Sequence, residues 1–252
     1  MGRRKRGRDF RMSVVGRNVG VIALGMSCQN SVQIRDNGEL LGRLTGDPTL
    51  KESHLPFDSV LLRPDSVAKM LRDDAFYPPQ SSDIEVVDKY GGAYWAPYNA
   101  YFRHEYHLKR SRPIEYWVRG RVNVKRAHKA LTGKFAHLVE KFKKLRQLER
   151  LVFVYTNMQN DLHQYLDEVG IDYRFDMQSV EWMCDECDKY FGRRCEYIFA
   201  SYPERIDGHS RREGLSVHLF TPDDSPWGGD HRQWKEMFER YFARAPALAA
   251  NS

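Results

Sequence analysis

The segment "LGMSCQNS" places Ser27 and Cys28 side by side after an apolar run. Residues 19–24 have the length and composition of a buried strand, and residues 30–36 could begin a helix. Free N–H groups at the start of a helix lower the pKa of a thiol and can hold an oxyanion. The pattern is therefore compatible with a nucleophile at this junction. The alternative is structural, with Ser27 or Asn30 as the N-cap of the helix and Cys28 as a small buried side chain.

A thiol or hydroxyl nucleophile needs a base, which makes the histidines the next candidates. His104 and His107 lie in "FRHEYH", inside an aromatic-rich segment, and their spacing would also suit a metal ion on a helix. Near the end of the chain, His231 directly follows Asp230. Either region could supply the base.

The cysteines outside this segment resemble part of a zinc site. Cys184 and Cys187 form a C-x-x-C pair that Cys195 follows, but no second pair completes a set of four ligands. The pair also falls within a helical pattern rather than after a strand, which is unlike a thioredoxin-type redox motif. We predict no metal ion and no cofactor.

Composition and charge limit the remaining classes of protein to which the chain could belong. The 252 residues carry a net charge of +6, and six arginines and lysines crowd the first eleven residues. We expect residues 1–11 to be a basic disordered tail, residues 12–245 one α/β domain, and residues 246–252 a flexible tail. No apolar run reaches the roughly 20 residues needed to span a bilayer, and no secretory signal precedes the domain. We therefore expect a cytoplasmic protein that binds nucleic acid, if at all, only through its basic tail.

Alternation of strands and helices predicts a three-layer sandwich with a mostly parallel central sheet. The predicted strands are residues 19–24, 151–157, 196–201 and 215–220, and the predicted helices are residues 30–36, a short helix within 63–74, 124–148, 161–169, 179–191 and 231–242. Glycines and a proline predict a loop over residues 38–48. Residues 77–117 read as an aromatic-rich insertion that packs over one face of the core. The polar face of helix 124–148 is rich in lysine and arginine, which favours either a solvated face or a surface for phosphate.

Five segments follow one another in a recognisable order: "ALGMSCQNSVQIR", "LPFDS", "FRHEYH", the basic helix and "LVFVY". Over residues 20–160 this order resembles an uncharacterised bacterial family described as papain-like cysteine peptidases. The C-terminal "W-x-G-D…W" is similar as well, whereas Ser59 stands where that family carries tryptophan.

The resemblance implies a cysteine-dependent hydrolase or an acyl or amide transferase acting on a peptide, an amide or a glycan. Cys28 would be the nucleophile and His104 its base, with Asp58 as an orienting or structural residue. The positions predicted to contact the substrate lie around these residues: Ser27, Gln29, Asn30, Arg35 and His107.

Three alternatives remain open on sequence grounds. Ser27 with His231, and with Asp230 or Asp224, follows the order of an SGNH-type serine esterase. A carbohydrate-active transferase could hold the phosphates of a sugar nucleotide at the turn after Gly25 and on the basic surface, and stack an acceptor sugar on the aromatic segment. A binding protein without catalytic activity is the third.

Overall fold

The structure, a computed structural model, describes residues 12–87, 92–102, 117–118, 121–122, 124–160, 162–223 and 229–244. The predicted tails, residues 1–11 and 246–252, lie outside these residues. His104, His107 and Asp224 lie outside them too, so their predicted roles stay predictions.

The described residues form a mixed α/β fold. Its strands are β1 (Ser13–Val15), β2 (Val19–Ala23), β3 (Lys51–Ser53), β4 (Glu85–Val87), β5 (Gly92–Trp95), β6 (Ala100–Phe102), β7 (Trp117–Val118), β8 (Arg121–Val122), β9 (Arg150–Thr156), β10 (Phe175–Asp176), β11 (Glu196–Ser201), β12 (Ile206–Asp207) and β13 (Leu215–Leu219). Its α-helices are α1 (Gln29–Asp36), α2 (Gly38–Thr45), α3 (Pro64–Arg72), α4 (Val124–Lys144), α5 (His163–Val169), α6 (Met177–Phe191) and α7 (His231–Arg244).

The central sheet has the strand order β13-β11-β9-β2-β1-β3. Its four strands β13, β11, β9 and β2 are parallel, and β1 and β3 continue the sheet in antiparallel pairing. The predicted mostly parallel sheet is therefore confirmed. Because the carboxyl ends of β2, β9, β11 and β13 meet at one edge, the turns that follow these strands also meet there.

Both faces of the parallel strands β2, β9 and β11 are buried. On β9, Val152 and Val154 belong to one apolar cluster, whereas Phe153 and Tyr155 belong to the other. The first cluster includes side chains of α1, α2 and α7, and the second includes side chains of α3, α4 and α6. This double burial explains why the strands are near-continuous apolar runs rather than alternating ones.

A second, three-stranded antiparallel sheet, β4-β5-β6, lies within the aromatic-rich segment. Phe102 at its end packs against Phe135 of α4, with ring centroids 5.5 Å apart. Tyr101 pairs with Leu61 through two backbone hydrogen bonds of 3.0 and 3.1 Å. The described part of this segment therefore packs over the α4 side of the core, as the sequence predicts.

The predicted loop over residues 38–48 is wrong, because residues 38–45 form α2. Leu41 is fully buried, and Leu40 and Leu44 pack against the same apolar cluster. Gly46 ends the helix with φ +67°, a left-handed conformation that glycine adopts without strain. The apolar stripe outweighed the low helix propensity of Gly38 and Gly42.

Within the described ranges, no helix has both the length and the apolar character needed to cross a bilayer.

Candidate functional site

The turn after β2 is fixed by its backbone. The N–H of Leu24 donates to the carbonyl of Val154 at 3.0 Å, and the N–H of Met26 donates to the carbonyl of Leu62 at 3.1 Å. Gly25 has φ +101° and Met26 has φ +61°. A positive φ at methionine costs energy, and such strain persists only where the surroundings enforce it. The turn is therefore a specified conformation at the carboxyl edge of the sheet.

Cys28 occupies the first position of this junction that reaches solvent. It is the N-cap residue of α1, without a side-chain capping bond, and its carbonyl accepts the first helical hydrogen bond from Val32 at 3.1 Å. Neither Ser27 nor Asn30 is the N-cap, so that part of the structural alternative is wrong. Cys28 is also partly exposed rather than buried. Part of residue Cys28 is therefore accessible to solvent.

The other three cysteines are buried. Burial raises the pKa of Cys195 to about 12 and raises the pKa of Cys184 and of Cys187 well above the ordinary thiol value. Thiolate is the reactive form, so these three thiols are poor nucleophiles. Among the described residues no group of three or more potential ligands could hold a metal ion.

Ser27 has a local role. It is 1% exposed, and its Oγ accepts a hydrogen bond from the N–H of Gln29 at 3.2 Å. This bond satisfies one of the N–H groups at the start of α1. Ser27 thus lies beside Cys28 in sequence but is withdrawn from solvent.

Asn30 ties the turn to the neighbouring strand. Its Nδ2 donates to the carbonyl of Gly25 at 2.8 Å and to the carbonyl of Val154 at 3.2 Å, and the side chain is fully buried. The Nδ2 atom is thereby committed to two backbone acceptors. The observed contacts of Asn30 hold α1 against β9.

Asp58 supports the same helix from the opposite side. Its carboxylate accepts hydrogen bonds from the N–H of Leu55 at 2.8 Å, from the hydroxyl of Ser13 at 2.8 Å and from the N–H of Ser13 at 3.3 Å. The hydroxyl of Ser31, in α1, contacts both the carbonyl of Asp58 at 3.1 Å and the carbonyl of Cys28 at 3.0 Å. Asp58 thus connects β1 and the segment 55–59 to the helix that carries Cys28.

The charge state of Asp58 is unusual. Burial raises the pKa of its carboxyl from 3.8 to about 7, although the hydrogen bonds from Leu55 and Ser13 and the charge of Lys141 act in the other direction. Lys141 itself donates to the carbonyl of His54 at 2.9 Å. Near neutral pH this buried carboxyl exists in both protonation states.

The segment before α7 lies along a different face of α1. His231 Nδ1 lies 3.2 Å from Gln33 Oε1, and a Cβ on Gly229 would meet Gln29 Nε2 at 3.1 Å. Asp230 caps α7, because its carboxylate accepts from the N–H of Arg232 at 2.8 Å, which lowers its pKa. In these contacts Asp230 does not orient His231, and His231 lies beside Gln33.

Arg35 lies at the far end of α1. Its guanidinium pairs with the adjacent Asp36 at 2.6 Å. Seven residues of helix separate it from Cys28, a rise of about 10 Å along the axis. The structure therefore brings together Ser27, Cys28, Asn30 and the backbone of Asp58, but it holds Arg35 apart from them.

The sequence pattern did not reveal that Ser13 holds Asp58 in place. Ser13 is fully buried, and its hydroxyl also accepts from the N–H of Ala23 at 3.0 Å. Ser13 is the polar residue of the otherwise apolar strand "SVV". Such a residue indicates a buried hydrogen bond, because a buried hydroxyl needs partners. Its partner Asp58 is 45 residues away in sequence, so the pattern alone could not supply it.

No protein-family model, no curated protein and no solved structure matches the chain. The family resemblance read from the order of the motifs therefore stays a prediction. Conclusions about function depend on the geometry around Cys28.

Proposed function

We propose that the protein is a cysteine-dependent hydrolase, or an acyl or amide transferase, with Cys28 as the nucleophile and His104 as the base. One observation carries this proposal. Of the four cysteines Cys28 alone is partly exposed, and it lies where a central parallel strand turns into α1. Ligands of open α/β sheets bind at this edge, beyond the carboxyl ends of the strands.

The start of α1 supports the same chemistry. The N–H groups of Asn30 and Ser31 belong to the first turn, where helix geometry provides no intrahelical acceptor. Such groups stabilise negative charge, both on a thiolate and on the oxyanion of a tetrahedral intermediate. They come from a turn that is already rigid, so little reorganisation would accompany the reaction.

In the proposed reaction His104 takes the proton of the Cys28 thiol, and the resulting thiolate attacks a substrate carbonyl. The tetrahedral intermediate collapses to a thioester, and the leaving amine or alcohol takes the proton from His104. Water, or an acceptor amine or alcohol in a transferase, then attacks the thioester and releases the thiol. Asp58 is a positioning residue in this scheme, because its carboxyl joins the segment 55–59 to β1 and its backbone carbonyl contacts the hydroxyl of Ser31 in α1.

The serine alternative has less support. The hydroxyl of Ser27 is buried and accepts from Gln29, whereas His231 contacts Gln33 and Asp230 caps α7. These contacts do not form a serine–histidine–aspartate chain. We therefore prefer the thiol, and labelling of Ser27 by a fluorophosphonate probe would reverse this preference.

We also infer a three-layer α/β sandwich in one domain, with the aromatic-rich segment as an insertion. The two apolar clusters on opposite faces of the sheet, each with its own helices, support this description. A cytoplasmic location is part of the same proposal, and the four free thiols support it because reducing compartments keep cysteines unpaired.

Selective alkylation tests the nucleophile. We expect iodoacetamide at about pH 8 to modify Cys28 in the folded protein about 100-fold faster than the three buried cysteines, because burial keeps those thiols protonated. Rates for each cysteine come from peptide mass spectrometry of quenched samples. A Cys28 that reacts no faster than Cys195 would rule out the nucleophile.

A matched pair of histidine variants tests the base. His104→Ala should slow alkylation of Cys28 by about tenfold, and His107→Ala should leave the rate within about twofold, since only the base favours thiolate. Circular dichroism of both variants controls for folding. Equal rates in the two variants would remove His104 from the proposal and leave Cys28 in place.

A further inference from the structure

Two adjoining cavities lie on the α4 side of the fold. The smaller, of about 400 Å³, lies where the ends of α3, α4 and α6 meet, and the larger, of about 730 Å³, lies between α4 and the segments 74–83 and 95–98. The ion-paired side chains of Asp74 and Lys143 line both cavities, which together are termed the cleft. Pockets for small molecules typically measure roughly 300–1,000 Å³. None of the lining residues belongs to the Cys28 turn, so the cleft is a separate feature of the fold.

The smaller cavity, termed the basic chamber, is lined by more cations than carboxylates: Arg72, Lys143, Arg146 and Lys189 against Asp74 and Glu186. Lys143 pairs with Asp74 at 2.9 Å, and Lys189 pairs with Glu186 at 2.7 Å. Arg72 pairs with Asp73, next to the cavity, at 3.0 Å.

Arg146 is different from these three cations. Its Nη2 donates to the carbonyl of Tyr190 at 2.7 Å, and its guanidinium lies 4.7 Å over the ring of Tyr190. Neither partner carries a formal negative charge, and within the described ranges no ion pair joins Arg146 to a carboxylate. A guanidinium that is held in place but not neutralised is suited to a phosphate group.

The larger cavity, termed the aromatic chamber, is lined by rings: Phe76, Tyr77, Trp95 and Tyr98. The ring centroids of Trp95 and Tyr98 lie 4.3 Å apart, and the hydroxyl of Tyr98 donates to Asp73 at 3.1 Å, which fixes the ring. Asp83 and Glu140 line the same chamber. Phe76 and Trp95 are buried, whereas Tyr77 and Tyr98 are partly exposed and present the accessible rings. Ring faces stack on planar groups, and carboxylates accept hydrogen bonds from N–H or O–H groups.

We propose that this cleft binds a nucleoside phosphate. The phosphates would lie against Arg146 in the basic chamber, and the base and ribose would lie in the aromatic chamber. Base stacking on aromatic side chains is sequence-tolerant and contributes substantially to binding. The carboxylates of Asp83 and Glu140 can accept hydrogen bonds from the amino and hydroxyl groups of a nucleoside. The cleft thus places both halves of the recognition in adjoining cavities.

Calorimetric titration of the full chain tests the proposal, with adenosine 5′-diphosphate and uridine 5′-diphosphate as the probes. Adenosine, uridine and pyrophosphate form separate arms, and each should bind about tenfold more weakly than the diphosphates because it fills one chamber only. Binding should also weaken as salt is raised, since exposed cations supply the charge.

Matched variants assign the two chambers. Arg146→Gln should weaken diphosphate binding about tenfold, and Arg240→Gln, an exposed arginine on α7, should change it less than twofold. Tyr98→Ala should weaken binding, whereas Tyr98→Phe keeps the ring and should retain most of it. No binding by the unmodified chain at millimolar diphosphate, equal binding by Arg146→Gln, or pyrophosphate binding as tightly as the diphosphates would each overturn the proposal.

Discussion

Replacing Asp58 with alanine is expected to lower the free energy of unfolding by about 4 kcal/mol at pH 5. The substitution leaves two N–H groups and one hydroxyl without acceptors: those of Leu55 and Ser13. A buried donor without a partner costs about 1–3 kcal/mol, and the space left by the carboxyl adds a further penalty. Urea denaturation followed by circular dichroism provides the measurement.

Two further variants make the result interpretable. Asp58→Asn keeps an oxygen for the N–H of Leu55 and places its amide against the hydroxyl of Ser13, so we expect a loss of about 1 kcal/mol. Asp36→Ala removes an exposed carboxylate that pairs with Arg35 on α1, and we expect a loss below about 0.5 kcal/mol. If Asp58→Ala were as stable as Asp36→Ala, the hydrogen bonds from Leu55 and Ser13 to the Asp58 carboxyl would not stabilise the fold.

The elements that the sequence predicted well are those with a strong local signal. The apolar runs at β9 and β11 have both faces buried, so their composition alone identifies them. The proline at the first position of α3 and the glycine after α6 mark helix ends by backbone chemistry. For such elements no tertiary information is needed.

The elements that the sequence missed depend on contacts distant along the chain. Strand β1 has three residues and is stable only because it pairs with β2 on one side and β3 on the other. Helix α2 contains two glycines, and burial of Leu41 decides its structure. Neither a pairing partner nor a burial site can be read from a short window of sequence.

The same division applies to the candidate site. Local pattern predicted the junction after β2 and the position of Cys28 within it. It could not predict that Asn30 would bond to Val154, 124 residues later in the chain, or that Ser13 would meet Asp58. The cleft around Arg146 is a similar case, because α3, α4 and α6 each contribute part of it. The sequence indicated a basic helix face, but only the fold determines which of its cations have carboxylate partners.

Stability is expected to fall by about 3 kcal/mol between pH 5 and pH 8, with Asp58 as the cause. Burial raises the pKa of this carboxyl to about 7, whereas the unfolded chain keeps the ordinary value of 3.8. Between these values the folded state binds one more proton than the unfolded state. The free energy of unfolding therefore decreases as pH rises, until the carboxyl is ionised in both states above about pH 7.

The difference between the unmodified chain and Asp58→Asn isolates this effect. Asparagine does not titrate, so the free energy of unfolding of Asp58→Asn should not decrease between pH 5 and pH 8. Other titrating groups contribute equally to both proteins, among them Asp47, whose pKa is lowered to about 2. The loss of unfolding free energy caused by Asp58→Ala should also become smaller from pH 5 to pH 8. Ionisation of the buried carboxyl destabilises the unmodified chain, whereas the alanine variant has no carboxyl to ionise. Parallel pH profiles for the unmodified chain and Asp58→Asn would show that Asp58 is ionised throughout. The hydrogen bonds from Leu55 and Ser13 would then outweigh burial, and Asp58 would join β1 to the segment 55–59 as a permanent carboxylate.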